Sequence, residues 1–344
     1  RQIEDELQLH DNKTLMDSLS DHSMMILKNT LHARYSGRMR REFTDADTLS
    51  TQAEEVLKEY PVITSTTFSA RSRDSLNDNV VYDYVIMDES SQVSLETGTL
   101  ALTCAKNAVI VGDTKQLPNV ITNNDREKLK VIFGLSHIDN GYDSANHSFL
   151  ESVSIMIKDV PQTLLREHYR CNSRIINFCN QKFYGGNLLI MKEDETNKNV
   201  LAAYKTVKGN HAANMTNLRE IEVIKQEVIP ELKDICLDEI GIITPYNNQV
   251  NAIRQQLPDI EVGTVHKFQG REKDVIIMSV VSNQINDFID DPHLINVAVS
   301  RAKKKFYLVV TGNEQEKTSN IKDLIDYIDY NNCKVVDSNV FSIF

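Results

Sequence analysis

Hydrophobic positions along the chain fall into two rhythms. From Arg1 to about Tyr60 apolar residues recur at helical spacing in a polar background, as in Leu15, Leu19, Met24, Ile26 and Leu27, then Ala53, Val56 and Leu57, and this predicts helices. From Pro61 the apolar residues gather instead into short unbroken runs that each end in polar residues. Val62-Ile63-Thr64 leads into Ser65-Thr66-Thr67, Val85-Ile86-Met87 into Asp88-Glu89, and Val109-Ile110-Val111 into Gly112-Asp113. Non-alternating runs separated by helix-length segments are the mark of strands in a parallel sheet covered on both faces.

The second rhythm returns further on. Ile240-Gly241-Ile242-Ile243 precedes Thr244-Pro245-Tyr246, Val275-Ile276-Ile277-Met278 precedes Ser279, and Phe306 to Val310 precedes Thr311-Gly312. Two α/β units are therefore predicted, joined near residues 150 to 160. A polar, Asn-rich and Lys-rich connection runs from Gly185 to Thr216. After it, Asn217-x-x-Glu220 reads as a capping box opening a helix with the apolar stripe Leu218, Ile221, Ile224, Val228 and Leu232.

Composition narrows the class without naming an activity. At 344 residues, 41% hydrophobic and 25% charged, the chain suits two or three globular domains. It has no apolar run of the roughly 18 to 20 residues that span a bilayer and no signal-peptide core after Arg1, so a cytoplasmic, intracellular protein without membrane partners is expected. Five cysteines with no C-x-x-C pair argue against a disulfide framework or a zinc site. A net charge of -11 requires any nucleic-acid contact to be a local groove and not a generally basic surface.

Candidate chemistry sits where the runs end, because open parallel sheets bind ligands beyond the carboxyl ends of their strands. Asp88 followed by Glu89 offers one carboxylate for Mg²⁺ and one for an attacking water. Alone, the pair reads as a solvated acidic turn. Gly112-Asp113-Thr114-Lys115-Gln116-Leu117-Pro118 adds a glutamine able to sense a γ-phosphate and an aspartate able to orient a neighbour. The second unit supplies cations: Arg170 in His168-Tyr169-Arg170-Cys171, and Arg301 in Asn296-Val297-Ala298-Val299-Ser300-Arg301-Ala302-Lys303. An arginine that meets the charge spreading over a transferring phosphoryl group contributes a rate factor of roughly a thousand or more. Gly263 to Val275 presents Thr264, His266, Gly270 and Glu272, with hydroxyls and backbone amides for a strand phosphate and a carboxylate for a ribose hydroxyl.

In this order the strings resemble the superfamily 1 helicases, in the branch that includes the nonsense-mediated-decay and senataxin-type DNA or RNA helicases. The resemblance runs from about Val62 to Gly312. Asp88 to Gln92 is similar to motif II, Gly112 to Pro118 to motif III, Arg166 to Ile176 to motif IV, Gly263 to Asp274 to motif V, and Asn296 to Lys303 to motif VI. Ile243-Thr244-Pro245-Tyr246-x-x-Gln249 resembles the segment that contacts the bound strand. The resemblance implies tandem RecA-like domains that hydrolyse ATP with Mg²⁺ and move on single-stranded DNA or RNA. It implies Asp88 as the Mg²⁺ ligand, Glu89 as the water-activating residue, Gln116 as the γ-phosphate sensor, and Arg170 and Arg301 as arginine fingers. Asp113, Tyr169, Gly270 and Glu272 would lie near nucleotide. Thr67, Thr244, Tyr246, Thr264 and His266 would lie along the nucleic-acid groove.

Three departures stand out. Asn172-Ser173 replaces the usual His-Pro of motif IV, and Asn119 follows Pro118 where a second proline is usual. No G-x-x-x-x-G-K-[ST] loop occurs, nor any Gly-Lys dipeptide. The expectation is a C-terminal portion of a monomeric motor, missing the N-terminal part of the same protein and inactive alone. Residues 1–60 would be a helical insertion, 61–154 an incomplete first RecA-like domain and 155–344 a complete second one. The alternatives are a degenerate motor kept as a nucleic-acid or protein binding module, and a remodelling ATPase that does not separate strands.

Overall fold

The computed structural model describes residues 12–37, 39, 41–45, 49, 51–71, 80–192, 200–315 and 318–341. Part of the predicted Asn-rich connection, residues 193–199, lies outside them. The chain divides into two compact units, residues 1–85 with 100–108, and residues 86–99 with 109–344.

The first unit holds α1 (Asn12–Tyr35) and α2 (Ala53–Glu59). On α2, Ala53 and Val56 are buried against Phe43, Leu49, Leu57, Tyr60, Val80 and Tyr82, a small satellite core. Along α1, by contrast, Leu19, Met24, Ile26 and Leu27 are all exposed. The predicted strand at Val62-Ile63-Thr64 is absent: residues 61–66 have no regular structure, and Val62 is 80% exposed. An apolar run becomes a strand only with a neighbour to pair with, and none of the described residues pairs with this one.

Strand β1 (Tyr82–Met87) pairs with β2 (Ala105–Ile110), with α3 (Leu95–Leu102) between them in the chain. Within the second unit follow α4 (Asn123–Ser136), α5 (Phe149–Met156), the short pair β3 (Glu167–His168) and β4 (Leu189–Ile190), and α6 (Ser173–Phe183). Asn172 caps α6, its side chain accepting from Arg174 N. The departure from His-Pro therefore supplies one of the best N-cap residues at the point where the helix begins.

The dominant body is a six-stranded parallel sheet. Its members are β5 (Leu201–Lys205), β8 (Ile240–Thr244), β9 (Glu261–Thr264), β10 (Lys273–Ser279), β11 (Ala302–Val310) and β12 (Lys334–Asp337), in the order β12-β5-β11-β10-β8-β9. A small hairpin, β6 (Ala212–Ala213) with β7 (Thr216–Asn217), precedes α7 (Leu218–Val223), which continues through a π turn at Ile224–Val228. Further helices are α8 (Asn247–Gln256), α9 (Val265–Phe268), α10 (Pro292–Ser300) and α11 (Asn320–Tyr330).

The unbroken runs in the sequence follow from burial on both faces. Successive side chains of a strand point to opposite sides. Ile276, Met278, Phe306, Leu308 and Val310 enter one core with α6, α10 and α11, whereas Val275, Ile277, Tyr307 and Val309 enter the other with α7 and α8. The predicted stripe of α7 is buried at Ile221, Ile224, Val228 and Leu232 but not at Leu218, which is 48% exposed. This is the α/β parallel architecture expected of a RecA-like domain.

Candidate nucleotide and nucleic-acid sites

Motifs II and III are folded against each other. Past β1, Glu89 takes a left-handed conformation (φ 51°), and its N–H donates to Asp88 Oδ1 at 2.8 Å. Ser90 N–H donates to Val111 O at 2.9 Å, and Asn119 N–H donates to Ser91 O at 3.0 Å. A proline at 119 has no N–H to make the second bond, so the departure at Asn119 ties the end of motif III to motif II. Gly112 lets the two motifs approach closely, since a Cβ would come within 2.9 Å of the Leu150 side chain and 3.0 Å of Ser90 N, and the loop would have to shift to admit it. Asp88 is exposed and Glu89 half-buried, and Gln92 donates to the Glu89 carboxylate at 3.1 Å.

The motif III loop is a turn organised by its aspartate. Asp113 Oδ1 accepts from Lys115 N at 2.8 Å, and Oδ2 accepts from Gln116 Nε2 at 3.2 Å. Leu117, 4% exposed, anchors the loop in the core that contains α6 and α10. Gln116 Oε1 in turn accepts from Arg301 Nη2 at 3.5 Å.

The two arginines are brought to one place by the backbone around them. Cys171 Sγ lies 3.3 Å from Ser300 O, and Asn172 N–H donates to Lys303 O at 2.8 Å, which ties the Arg170 segment to the end of α10. Arg301 is 2% exposed, and its buried Nε has no hydrogen-bond partner among the described residues. Burial first, then the nearby Arg170 charge, lower its pKa, with Glu89 among the charges acting in the other direction. Arg170 Nε pairs with Glu272 at 2.6 Å. Burial, together with Arg170, Lys192 and Arg301, holds His168 down to about 4, so its neutral Nε2 accepts from Cys171 N at 3.0 Å. Tyr169 is exposed and donates its hydroxyl to Glu167. Gly270 is left-handed (φ 76°) and stands in open space.

The structure thus joins Asp113, Gln116 and Arg301 directly and Arg170 to Glu272. Among the described residues Asp88 makes only its local bond to Glu89 N. Of the groove candidates, Thr67 belongs to a turn in the first unit. Thr244 and Thr264 are register partners on β8 and β9 and both are buried, with Thr244 Oγ1 unpartnered. Tyr246 is half-buried against Phe288, with ring centroids 5.6 Å apart, and His266 is exposed on α9. Gln249, in the segment resembling a strand contact, is fully buried and bonded to Asn217 and Ser279.

Two family models described as AAA domains match the chain, AAA_11 over residues 3–124 and AAA_12 over residues 145–315. Among curated relatives, the ATP-dependent helicase MJ0104 of Methanocaldococcus jannaschii is 28% identical over 290 residues, 76% of this chain. The DNA replication ATP-dependent helicase/nuclease DNA2 of Gallus gallus is 28% identical over 256 residues, 66% of this chain. The DNA polymerase alpha-associated DNA helicase A of Saccharomyces cerevisiae is 29% identical over 317 residues, 80% of this chain. The chain belongs to the superfamily 1 helicases. This helicase chain spans 40%, 23% and 44% of those three relatives.

Sequence reasoning missed two residues that the structure bonds to the candidate site. Tyr184, just past α6, donates to Asp113 Oδ2 at 2.6 Å, and Asn296 Nδ2 donates to the Tyr184 hydroxyl at 2.8 Å. Asn296 stood inside the motif VI string without a role, and nothing in Phe183-Tyr184-Gly185-Gly186 marks the tyrosine as more than a helix end.

Proposed function

We propose that this chain supplies most of the catalytic residues of an ATP-hydrolysing motor that moves along single-stranded DNA or RNA. One observation carries the reading: Arg301 is buried beside Gln116, with an N–H that has no partner among the described residues. An unpaired buried N–H on a cation costs several kcal/mol unless something meets it, and a phosphate oxygen has the charge and the lone pairs to do so.

On this reading Gln116 senses the terminal phosphate, Arg301 and Arg170 balance charge that develops there, and Glu272 holds Arg170 until nucleotide arrives. Asp113 orients Gln116, while Tyr169 and Gly270 lie beside the nucleotide. Asp88 is the Mg²⁺ carboxylate and Glu89 positions or deprotonates the attacking water. ATP with Mg²⁺ supplies the phosphoryl group and a Lewis acid that neutralises its oxygens. The loop that cradles phosphates is not among these residues, so the chain alone is expected to turn over ATP negligibly. Residues 61–154 and 155–344 are proposed as the two halves of the motor, with 1–60 as an insertion. Thr67, Tyr246 and His266 are proposed to contact the strand, and Thr244 and Thr264, buried on β8 and β9, to support the surface it lies on.

The test is Arg301→Ala in the natural polypeptide that carries this sequence, at saturating single strand. ATP turnover is expected to fall by roughly a thousandfold or more, with affinity for the strand within about twofold of wild type. Turnover within tenfold of wild type would remove Arg301 from the site.

A further inference from the structure

A single phenol closes the motif III loop and the motif VI helix into a ring. The Tyr184 hydroxyl donates to Asp113 Oδ2 at 2.6 Å and accepts from Asn296 Nδ2 at 2.8 Å. Asn296 Nδ2 also donates to Lys115 O at 2.8 Å. Asp113 Oδ2 accepts from Gln116 Nε2 at 3.2 Å, and Gln116 Oε1 accepts from Arg301 Nη2 at 3.5 Å. Arg301 ends the helix on which Asn296 lies, so the circuit returns to its start.

Each link has one chemical solution. The hydroxyl must donate to a carboxylate and accept from an amide at once, which a phenylalanine cannot do at all. Its proton stays in place, because burial and the neighbouring Asp113 carboxylate both drive the phenol far above its usual range. Asn296 spends its amide nitrogen on two acceptors, which fixes the plane of its side chain. Its buried oxygen has no partner among the described residues, so the hold on the amide comes from its nitrogen side.

From this closure we infer that Tyr184 is a positioning residue for ATP turnover, holding Asp113 and Asn296 so that Gln116 and Arg301 face the same phosphate. The inference rests on the proposed function. Without the hydroxyl, Asp113 Oδ2 loses its shortest donor and the Gln116 amide it accepts from is free to turn. Substrate affinity, set mostly by groups outside the ring, should be spared.

The experiment is steady-state ATP turnover of the natural polypeptide with Tyr184→Phe, Asp113→Asn and the double variant, on a saturating single strand. A hydrogen bond to a charged group is the quantity removed, so kcat should fall about tenfold to a hundredfold. KM for ATP and strand affinity should stay within about twofold, and the double variant should be no slower than the worse single one. Equal kcat for Tyr184→Phe and wild type overturns the inference, as do losses that multiply in the double variant. A KM that rises with kcat unchanged overturns it too. If Tyr184→Phe melts early, Asn296→Ser carries the same kcat-only expectation through the other side of the ring. A wild type with no turnover defeats the functional reading itself, whereas an active wild type matched by Tyr184→Phe defeats only the role of the tyrosine.

Discussion

Glu220 makes a sharp test of how this fold tolerates a charge in its core. The carboxyl is fully buried at the start of α7, accepting from Ser279 Oγ at 2.6 Å and from Val281 N at 2.9 Å. Its neighbours are a hydroxyl, amides and backbone, with Asn217 and Gln249 completing the cluster, and none of them carries charge. Burial accordingly raises it from 4.5 to about 8, with the hydrogen bonds opposing. In the unfolded chain it titrates near 4.5, so between the two values the folded state keeps a proton that the unfolded state has released. Its contribution to stability is full below about 4.5 and is lost as pH rises through about 8. At 1.36 kcal/mol per pKa unit the whole effect is on the order of 5 kcal/mol.

The perturbation is Glu220→Gln, which keeps the shape and cannot ionise. Urea unfolding followed by circular dichroism at pH 5, 6, 7 and 8.5 gives the stability difference between variant and wild type at each pH. That difference should move in favour of the variant by roughly 4 kcal/mol across the series. A difference independent of pH would refute the reasoning and mean that Glu220 does not carry this linkage. Taking the difference cancels every other titration common to the two proteins.

Two more predictions come from the same unit. His168, held down to about 4 in the folded state, should make wild type lose stability as pH falls from about 6.5 to about 4; His168→Gln should flatten that acid limb, and an unchanged limb in thermal melts would assign it elsewhere. Gly312→Ala places a Cβ 1.9 Å from Thr206 O, a backbone atom that cannot swing away, and should cost roughly 2 to 4 kcal/mol in the same urea assay, with a loss under 1 kcal/mol counting against the packing.

Where the sequence was legible, physics acted locally. β10 and β11 announced themselves because both faces of each strand are buried, so no polar residue interrupts Ile276 to Met278 or Phe306 to Val310. The order of motifs was legible because each sits where a strand ends. Val62-Ile63-Thr64 misled because composition cannot show whether a partner strand is present. The capping box at Asn217 was half right. Asn217 Oδ1 accepts from Glu220 N, but the Glu220 carboxylate turns to Ser279 and Val281, and Asn217 N donates to Gln249 instead. Tyr184 and Asn296 were illegible because their partners lie 71 and 181 residues away in the chain.

The left-handed Val281 has a consequence beyond the cluster that holds it. A β-branched residue at φ 77° carries a backbone cost of order 1 to 3 kcal/mol, which its bond to Glu220 offsets. Beyond it, Asn283 receives His211 N and Ala212 N, so the bend at 281 sets where the β6–β7 hairpin rests on the sheet. The hairpin's placement therefore depends on a carboxyl in the interior, and a change that relaxes residue 281 would be felt at the rim of the domain before it was felt in the core.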